Sequence, residues 1–458
     1  MQLYNNTNLT KFIMVSYIGG KSLKTVDVFA VCIEHIKDVL LKKIREEKEE
    51  IKEYDVRWVL TCPAMWNESS RQFMIEAAIK SGIDQNNITI ALEPEAAAVC
   101  CKYLESKKDT DVFSNGSRFL VLDLGGETVD ITANEVIETG QLREIYHASG
   151  GPWGGNMINH KIWILIYDVF GNAVVENFKN EHRDDYLKMT RAIELSKQVV
   201  DFDIKFIIEI PETLIEEAKK LNSEMVYDKS NDLVKLVKSK LQIDQKLIKH
   251  IFKESIDTLV SHVSHLFEKD ETKGVSSILM VGGYSSCELM HKTIKDTFPE
   301  LNLIFNSQPD TIVLKGAVIT GHLDTPIAKR LARFHYGIAV DPEIDLVKSF
   351  DGSLLEMPKD EQEFHVFIKK GSPVKVNDVI AEYDIPVNAN QEKVIIDVYA
   401  SDMKEPPEKV NETHCRKIGT IRIKLPMQNK SSTIKVGISC DGTEFKAVAR
   451  DFATGKCF

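Results

Sequence analysis

The sequence predicts an α/β protein with an antiparallel β unit at its C-terminal end, and three patterns carry that expectation. Between Val56 and Leu104, strand-like and helix-like segments alternate in β-α-β-α order, which implies a parallel sheet with helices packed over it. From Phe119 to His147 three apolar runs follow one another with short turns between them, ahead of an apolar helix. After about residue 333 apolar residues recur at every second position, the period of a half-buried strand.

The first 20 residues are polar and weakly patterned. From Thr25 onward Val28, Val31, Cys32, His35, Ile36, Val39 and Leu40 recur at spacings of three and four, so a helix begins there. It runs on into Lys42 to Glu53, whose mixed charges read either as a solvated helix face with i,i+4 ion pairs or as a partner-binding helix. Val56 to Cys62 alternates as a strand and is closed by Pro63. Asn67 or Ser69 then caps a helix through Phe73, Met74, Ala77 and Ala78 that stops at Ser81-Gly82. Ile88 to Leu92 is a second strand, and Glu93 to Leu104 an Ala-rich helix with Pro94 in its first turn, where a missing N–H goes unnoticed. Lys107 to Ser117 is loop-like. Phe119–Asp123, Thr128–Val136 and Leu142–His147 are the successive strands, and the helix Asn156–Phe170 follows a glycine-rich turn. Residues 172–270 are mostly charged helical segments with one strand at Lys205–Ile210. Ser276–Val281 is a strand, and Cys287–Phe298 and Thr311–His322 are helices. Near the C-terminal end Val394/Ile396/Val398, Ile421/Ile423/Leu425, Ile434/Val436/Ile438 and Phe445/Ala447/Ala449 alternate, with the hairpin dipeptide Asp441-Gly442 between the last two.

Composition narrows the class. The 458 residues suit two or three domains, at about 150 residues each. With 43% hydrophobic residues the chain can fill sizeable cores, and a net charge of −11 with 28% charged residues argues against a disordered chain or a histone-like nucleic-acid binder. The apolar run Ile162 to Tyr167 has six residues, against the roughly 20 of a membrane helix. The start MQLYNNTNLTKF lacks a basic stretch followed by an apolar one, so no secretory signal is expected and Asn-x-Ser/Thr triplets such as Asn67 to Ser69 carry no weight. Eight scattered cysteines without a Cys-x-x-Cys pair fit a reducing compartment. The expectation is a cytoplasmic protein with no nucleic-acid or membrane partner.

Three glycine turns carry the chemistry. In Phe119-Leu-Val-Leu-Asp123-Leu-Gly125-Gly126-Glu127-Thr128-Val-Asp130 a strand ends in an acid, a glycine pair turns, and a second strand returns. Glycines let backbone N–H groups approach a phosphate, and Asp123 and Asp130 could hold Mg²⁺ through water. The others are Gly150-Gly151-Pro152-Trp153-Gly154-Gly155 and Val281-Gly282-Gly283-Tyr284, each preceding a helix whose N-terminus suits an anion or a nucleobase. Each is also an ordinary strand connection; three in one chain favour nucleotide binding. Gly19-Gly20-Lys21-Ser22 resembles a phosphate loop, but Val15 stands where the first glycine is needed and a hairpin is the better reading. Cys287 likewise breaks the Gly-x-Ser-x-Gly pattern begun at Gly283, no paired metal spacing occurs among the twelve histidines, and Cys100-Cys101 reads as helix packing.

Taken together, Thr61-Cys-Pro-Ala-Met-Trp66, Glu93-Pro-Glu-Ala-Ala-Ala98, Asp123 to Asp130, Val281-Gly-Gly283 and Lys315-Gly-Ala317 resemble, in that order and spacing, the heat shock protein 70 family. Asp55-Val-Arg-Trp-Val59, Arg71-Gln-Phe-Met74, Gly150-Gly-Pro-Trp153 and Asp441-Gly-Thr-Glu-Phe-Lys446 are similar to its divergent heat shock 70 kDa protein 12 branch, forms A and B. The resemblance spans about residue 20 to the end. It implies a two-lobed actin-like ATPase (ribonuclease H-like) fold followed by a C-terminal β-rich domain. The expected division is a polar segment 1–20, a remnant of the first lobe 21–117, the second lobe with its return to the first 118–332, and an antiparallel β domain 333–458. It also implies adenine nucleotide (ATP or ADP) and Mg²⁺ as cofactors. Glu93, Asp123 and Thr128 take the catalytic positions, and Asp123 and Asp130 those near the hydrated metal. Gly125, Gly126, Gly154, Gly155, Glu194, Lys197, Gly282, Gly283 and Asp310 take the nucleotide-binding ones, Glu194 and Lys197 on the adenosine side.

Departures from the family pattern shape the functional reading. No Asp-x-Gly-Thr-Thr loop or assisting lysine occurs before Asp55, so the chain reads as starting inside the first lobe. Glu127 replaces a glycine of the second phosphate loop, and two like charges about 4 Å apart repel by about 1 kcal/mol in water. Ser286 stands where typical members stack an arginine on adenine, and Gln198 takes a basic position. Phosphoryl transfer depends on positioning and charge stabilisation. The expected function is therefore an ATP-binding, chaperone-like protein with weak or absent hydrolysis and with client or partner proteins; the alternative is a non-catalytic pseudo-ATPase scaffold. A sugar or metabolite kinase on the same fold would leave the β domain unexplained.

Overall fold

The computed structural model describes residues 12–16, 22–48, 51–105, 111–200, 206–221, 233–305, 308–323, 326–340, 362–376, 379–387, 392–410, 413–424, 432–441 and 444–451. Among them the largest sheet has seven strands, in the order Asn302–Phe305, Val275–Val281, Arg118–Leu124, Val129–Val136, Leu142–Gly151, Ile327–Leu331, Pro373–Lys375. The three successive strands expected from sequence form its antiparallel centre, and Val275–Val281 with Asn302–Phe305 extends it in parallel on one side. Both faces are covered. Leu120, Leu122 and Leu124 point into a core with Ile158, Ile162 and Ile166 of the helix Gly155–Phe170 and with Phe252 and Leu259 of the helix Gln245–Phe267. Phe119 and Val121, on the alternate positions, meet Ala97, Cys100 and Cys101 of the helix Glu93–Glu105 and Ile312 of the helix Pro309–His322. The adjacent cysteines are thus packing residues. These two helices cross so closely that a Cβ on Gly316 would stand 1.8 Å from the Ala96 carbonyl oxygen, the physical reason for a glycine in Lys315-Gly-Ala317.

A smaller parallel sheet pairs Trp58–Cys62 with Ile88–Leu92 in register from Trp58↔Ile88 to Cys62↔Leu92. The helix between them, Glu68–Lys80, is capped by Asn67, whose side-chain oxygen accepts from the Ser70 amide at 2.9 Å, and it ends at Gly82 in a left-handed conformation. The helix Thr25–Glu47 leans on it through Val26, Phe29 and Ile33 against Phe73 and Ala77.

The C-terminal strands form two sheets around one core. Glu363–Ile368, His335–Val340, Lys393–Ser401 and Arg416–Lys424 make one; Val379–Val387, Ser432–Asp441 and Glu444–Asp451 make the other. Tyr336, Ile338, Ile396, Val398, Ile434, Val436 and Ile438 are buried together. Ser432–Asp441 and Glu444–Asp451 form the expected hairpin and pair up to the rung Asp441↔Glu444, one residue past the register that Asp441-Gly442 at the centre of the turn would give; Gly442 lies outside the described residues.

Met14–Ser16 and Ser22–Lys24 form a short antiparallel ribbon, in keeping with the hairpin reading of Gly19 to Ser22, of which Gly19 to Lys21 lie outside the described residues. Three features differ from the sequence expectation. The first long helix ends at Glu47, short of Glu53, and its apolar period is wider than the side it buries, which leaves Val31 and Ile36 63% and 67% exposed. Residues 206–243 contain a three-stranded sheet, Phe206–Glu209, Lys240–Ile243 and Val234–Val237, where only the first strand was expected; four-residue strands offer too short a stretch of alternation to read. Pro373–Lys375, inside the C-terminal segment expected to be separate, pairs antiparallel with Ile327–Leu331 and closes the seven-stranded sheet. Gly316→Val should destabilise the protein by about 3 kcal/mol or prevent folding, whereas Val318→Ala on the exposed side of the same helix should stay within about 0.5 kcal/mol in denaturant titrations.

Candidate functional site

The strands Arg118–Leu124 and Val129–Val136 place Asp123 directly opposite Asp130, so both carboxylates lie on one face of the hairpin. Between them the Gly125 amide donates to the Thr128 carbonyl at 3.0 Å and closes the turn. Asp123 and Asp130 are buried. The Thr128 hydroxyl donates to Asp130 Oδ2 at 2.7 Å, and the Met65 amide, in the loop after Trp58–Cys62, donates to Asp130 Oδ1 at 2.7 Å. Glu93 joins them from the first turn of its helix. Loss of water contact and the charges of Asp123 and Asp130 push the Glu93 carboxyl up to about 8. Burial and then Asp130 push Asp123 up to about 7. Asp130 is raised by burial and held back by its hydrogen bonds from Thr128 and Met65 and by the Arg333 charge.

All three glycine turns that the sequence singles out meet at this cluster. The amides of Gly155 and Asn156, at the start of the helix Gly155–Phe170, donate to the carbonyls of Gly125 (3.0 Å) and Gly126 (2.7 Å). Gly154 packs on Gly126 with no room for a Cβ. Gly282 closes the other side: its φ is +84°, and a Cβ there would stand 2.5 Å from Asp123 Oδ1 and 2.6 Å from the Leu124 carbonyl. Only glycine satisfies that backbone and that distance at once.

Glu194 and Lys197 border the second and third turns. Lys197 is 1% exposed; its ammonium donates to the Gly155 carbonyl at 3.1 Å and to Glu194 at 2.7 Å and lies 5.3 Å from the Tyr284 ring centroid. Burial lowers its pKa and the Glu194 contact opposes that shift. Asn159 donates to Glu194 at 2.7 Å and to Asn156 at 3.2 Å, and Asn156 donates to Glu127 at 2.9 Å. The carboxylate that replaces a glycine is therefore drawn toward Asn156, and it stays exposed. Gly283 has open space beside its Cα, at the start of the 3₁₀ turn Gly283–Ser286. Asp310 is exposed on the first turn of the helix Pro309–His322, which packs against that turn.

Sequence reasoning did not find the contacts that tie this site to the C-terminal strands. Arg330 forms a two-pronged ion pair with Glu95, with 2.6 Å between Nη2 and Oε2, two residues beyond Glu93. Glu144, pushed up to about 7 by burial, accepts from the Leu331 amide at 2.8 Å. Arg333 donates to the Met65 carbonyl at 3.0 Å, and Tyr336 and Arg416 both donate to Glu68. The basic pair Lys329-Arg330 after an apolar helix was the one signal available. Asn156 and Asn159, three apart just after Gly154-Gly155, could have been read as a helix-face pair.

Because Glu93 and Asp123 have folded pKa values above the ordinary carboxylate range, their contribution to stability is complete below about pH 4 and is lost as pH rises through about 7 to 8. In metal-free buffer the melting temperature should fall between pH 6 and pH 9. Asp123→Asn should flatten that fall and raise the pH 9 value by about 3 °C or more; a lower value for the variant at pH 9 would count against a charged, destabilising cluster.

Comparison with known proteins fits this geometry. Residues 3–334 match the family described as Hsp70 protein. Human heat shock 70 kDa protein 12A is 27% identical over 532 aligned residues, covering the whole chain and 78% of that protein. Human heat shock 70 kDa protein 12B is 24% identical over 540, covering the whole chain and 77% of that protein. The chaperone protein DnaK of Thermosipho melanesiensis is 26% identical over 296 residues, 62% of this chain and 44% of that protein. The mixed α/β sheets, the converging glycine turns and this match agree: the chain belongs to the Hsp70 family, whose domain has the actin-like ATPase fold.

Proposed function

We propose that the chain binds ADP or ATP with Mg²⁺ at the junction of the three glycine turns and acts as a chaperone-like protein of the heat shock 70 kDa protein 12 type, with little or no hydrolysis. The observation that carries the reading is the convergence of Gly125-Gly126, Gly154-Gly155 and Gly282 on two buried aspartates. The glycines let the three turns pack against one another beside the acids, which brings backbone close to where a phosphate would sit. Family membership supplies the prior for the ligand, since Hsp70 proteins generally bind adenine nucleotides with Mg²⁺.

The residues fit a divalent cation held through its water shell. Half-buried Glu93 and buried Asp123 and Asp130 form an acidic group whose pKa values are raised first by loss of water and, for Glu93 and Asp123, by like charge, while among the described residues no three ligand side chains converge closely enough to grip a metal directly. A bound Mg²⁺ would neutralise phosphate charge there. Around it, Asp123 and Asp130 orient water, Thr128 fixes Asp130 through its hydroxyl, and Glu93 holds a proton near neutral pH that it gives up when a cation arrives. Glu194, braced by Lys197 and Asn159, faces the nucleoside side together with Gly283 and Asp310.

Weak hydrolysis follows from this chain's own residues. Glu127 adds a negative charge beside the glycine turn, and Ser286 and Gln198 stand where the resemblance expects cations. Losing one charge-stabilising donor already costs about 10²–10³ in rate. The proposed division is 1–20, 21–117, 118–332 and 333–458. Distinct buried cores for the lobe sheet and the C-terminal strands support the last boundary, and the Pro373–Lys375 strand crosses it. Client or partner proteins and a cytoplasmic location belong to the same reading. It is supported by the family match and by the observation that, among the described residues, no helix is long and apolar enough to cross a membrane.

Calorimetric titration of Mg-ADP and Mg-ATP should give dissociation constants in the micromolar range, weakened about tenfold or more by Gly282→Ala, with phosphate release near background. A folded, monodisperse chain that binds neither nucleotide favours the pseudo-ATPase scaffold.

A further inference from the structure

Glu194 and Lys197 stand three residues apart on the helix Arg183–Gln198 and form an ion pair 2.7 Å long. The resemblance places both on the adenosine side, where Lys197 would touch the ligand. The structure puts its ammonium elsewhere. At 1% exposure the lysine has no surface to offer a ligand. A charge buried this deeply is kept where its partners offset the loss of water.

Those partners belong to two of the glycine turns. Lys197 Nζ donates to the Gly155 carbonyl at 3.1 Å and lies 5.3 Å from the centre of the Tyr284 ring, in the turn Gly283–Ser286. The fit is close: a Cβ on Gly155 would stand 2.5 Å from Nζ and 3.2 Å from the Tyr284 ring. Tyr284 is buried as well. Its hydroxyl lies 3.5 Å from that of Ser255, which donates to the Trp153 carbonyl at 2.9 Å. The second and third turns are therefore joined at two points, one of them charged. Glu194 carries the connection to the first turn. The carboxylate oxygen that accepts from Lys197 also accepts from Asn159 at 2.7 Å. Asn159 donates in addition to Asn156 Oδ1 at 3.2 Å, which turns the Asn156 side-chain amide toward Glu127. The Asn156 backbone amide holds the Gly126 carbonyl.

We propose that Lys197 is a positioning residue: with Glu194 it holds the three glycine turns in the arrangement that receives phosphate, and it makes no contact with the nucleoside. The proposal rests on the nucleotide-binding reading above and deepens it. Recognition of phosphate by backbone depends on where the turns lie, so removing the pin acts on phosphate rather than on the base. Without the ammonium, the Gly155 carbonyl loses a buried donor and the Glu194 carboxylate keeps Asn159 but no counter-charge.

Calorimetric titrations of the full chain with Mg-ADP and with Mg-pyrophosphate, which has no nucleoside, separate positioning from contact. Lys197→Met, close in length and uncharged, is expected to weaken both ligands by the same factor, about tenfold or more, at a temperature where circular dichroism shows the variant folded. Asn159→Ala, a milder cut in the same chain of contacts, should weaken both by about threefold, and it carries the test if Lys197→Met does not fold. Loss confined to Mg-ADP would make Lys197 a nucleoside contact and overturn the proposal. So would unchanged affinity for both ligands in these variants, or an unsubstituted chain that binds Mg-ADP but not Mg-pyrophosphate. An unsubstituted chain that binds neither refutes the nucleotide reading itself, and this proposal with it.

Discussion

Asp123 and Asp130 face each other across one rung of a hairpin, and Glu93 reaches them from the first turn of a helix that begins on the neighbouring parallel sheet. Holding three carboxylates this close and away from water is unfavourable, as the elevated pKa values of all three record. Packing around them keeps them there. The hairpin is the centre of a seven-stranded sheet, the Glu93 helix is locked against it through Ala97 to Cys101, and Gly282 seals the remaining side. Strain of this kind persists only where the surroundings over-determine the geometry, and it is a usual mark of a binding site.

Two of these acids also lie at or beside points of attachment to the C-terminal strands. Asp130 takes the Met65 amide, and the carbonyl of the same residue takes Arg333, so one residue lies between the cluster and the start of the C-terminal strands. Glu95, two residues from Glu93, pairs with Arg330 on the strand Ile327–Leu331, and that strand is held between Leu142–Gly151 and Pro373–Lys375. The residues that set the charge balance of the cleft thus share short covalent stretches with the residues that dock the C-terminal sheets. Glu68, accepting from both Tyr336 and Arg416, fastens a second point of the same contact.

Much of this was legible from local rules. Strand, acid, glycine pair and returning strand is a short-range pattern, so Asp123, Gly125, Gly126, Thr128 and Asp130 could be named from the sequence, as could the strand–helix units around Glu93. Contacts set by distant segments were not legible. Arg330 meets Glu95 across 235 residues of chain, and nothing in either neighbourhood announces the partner. The period of Thr25–Glu47 reports a helix and an apolar side but not what covers it, so the exposure of Val31 and Ile36 came only with the structure. The resemblance puts Lys197 on the adenosine side but says nothing of its burial beneath Gly155, which depends on a turn that passes over it from another element.

The central claim is that the buried acids at the glycine junction are the seat of a metal–nucleotide complex. Titrating Mg-ADP into the chain at pH 7.5 in two buffers of different ionisation enthalpy measures protons exchanged on binding. Glu93 and Asp123, pushed up to about 8 and about 7, are partly protonated at that pH and must ionise beside a cation, so a net release of protons is predicted, reduced in Asp123→Asn. Binding heat that is the same in both buffers, or proton release untouched by the substitution, would place the ligand elsewhere and contradict the assignment.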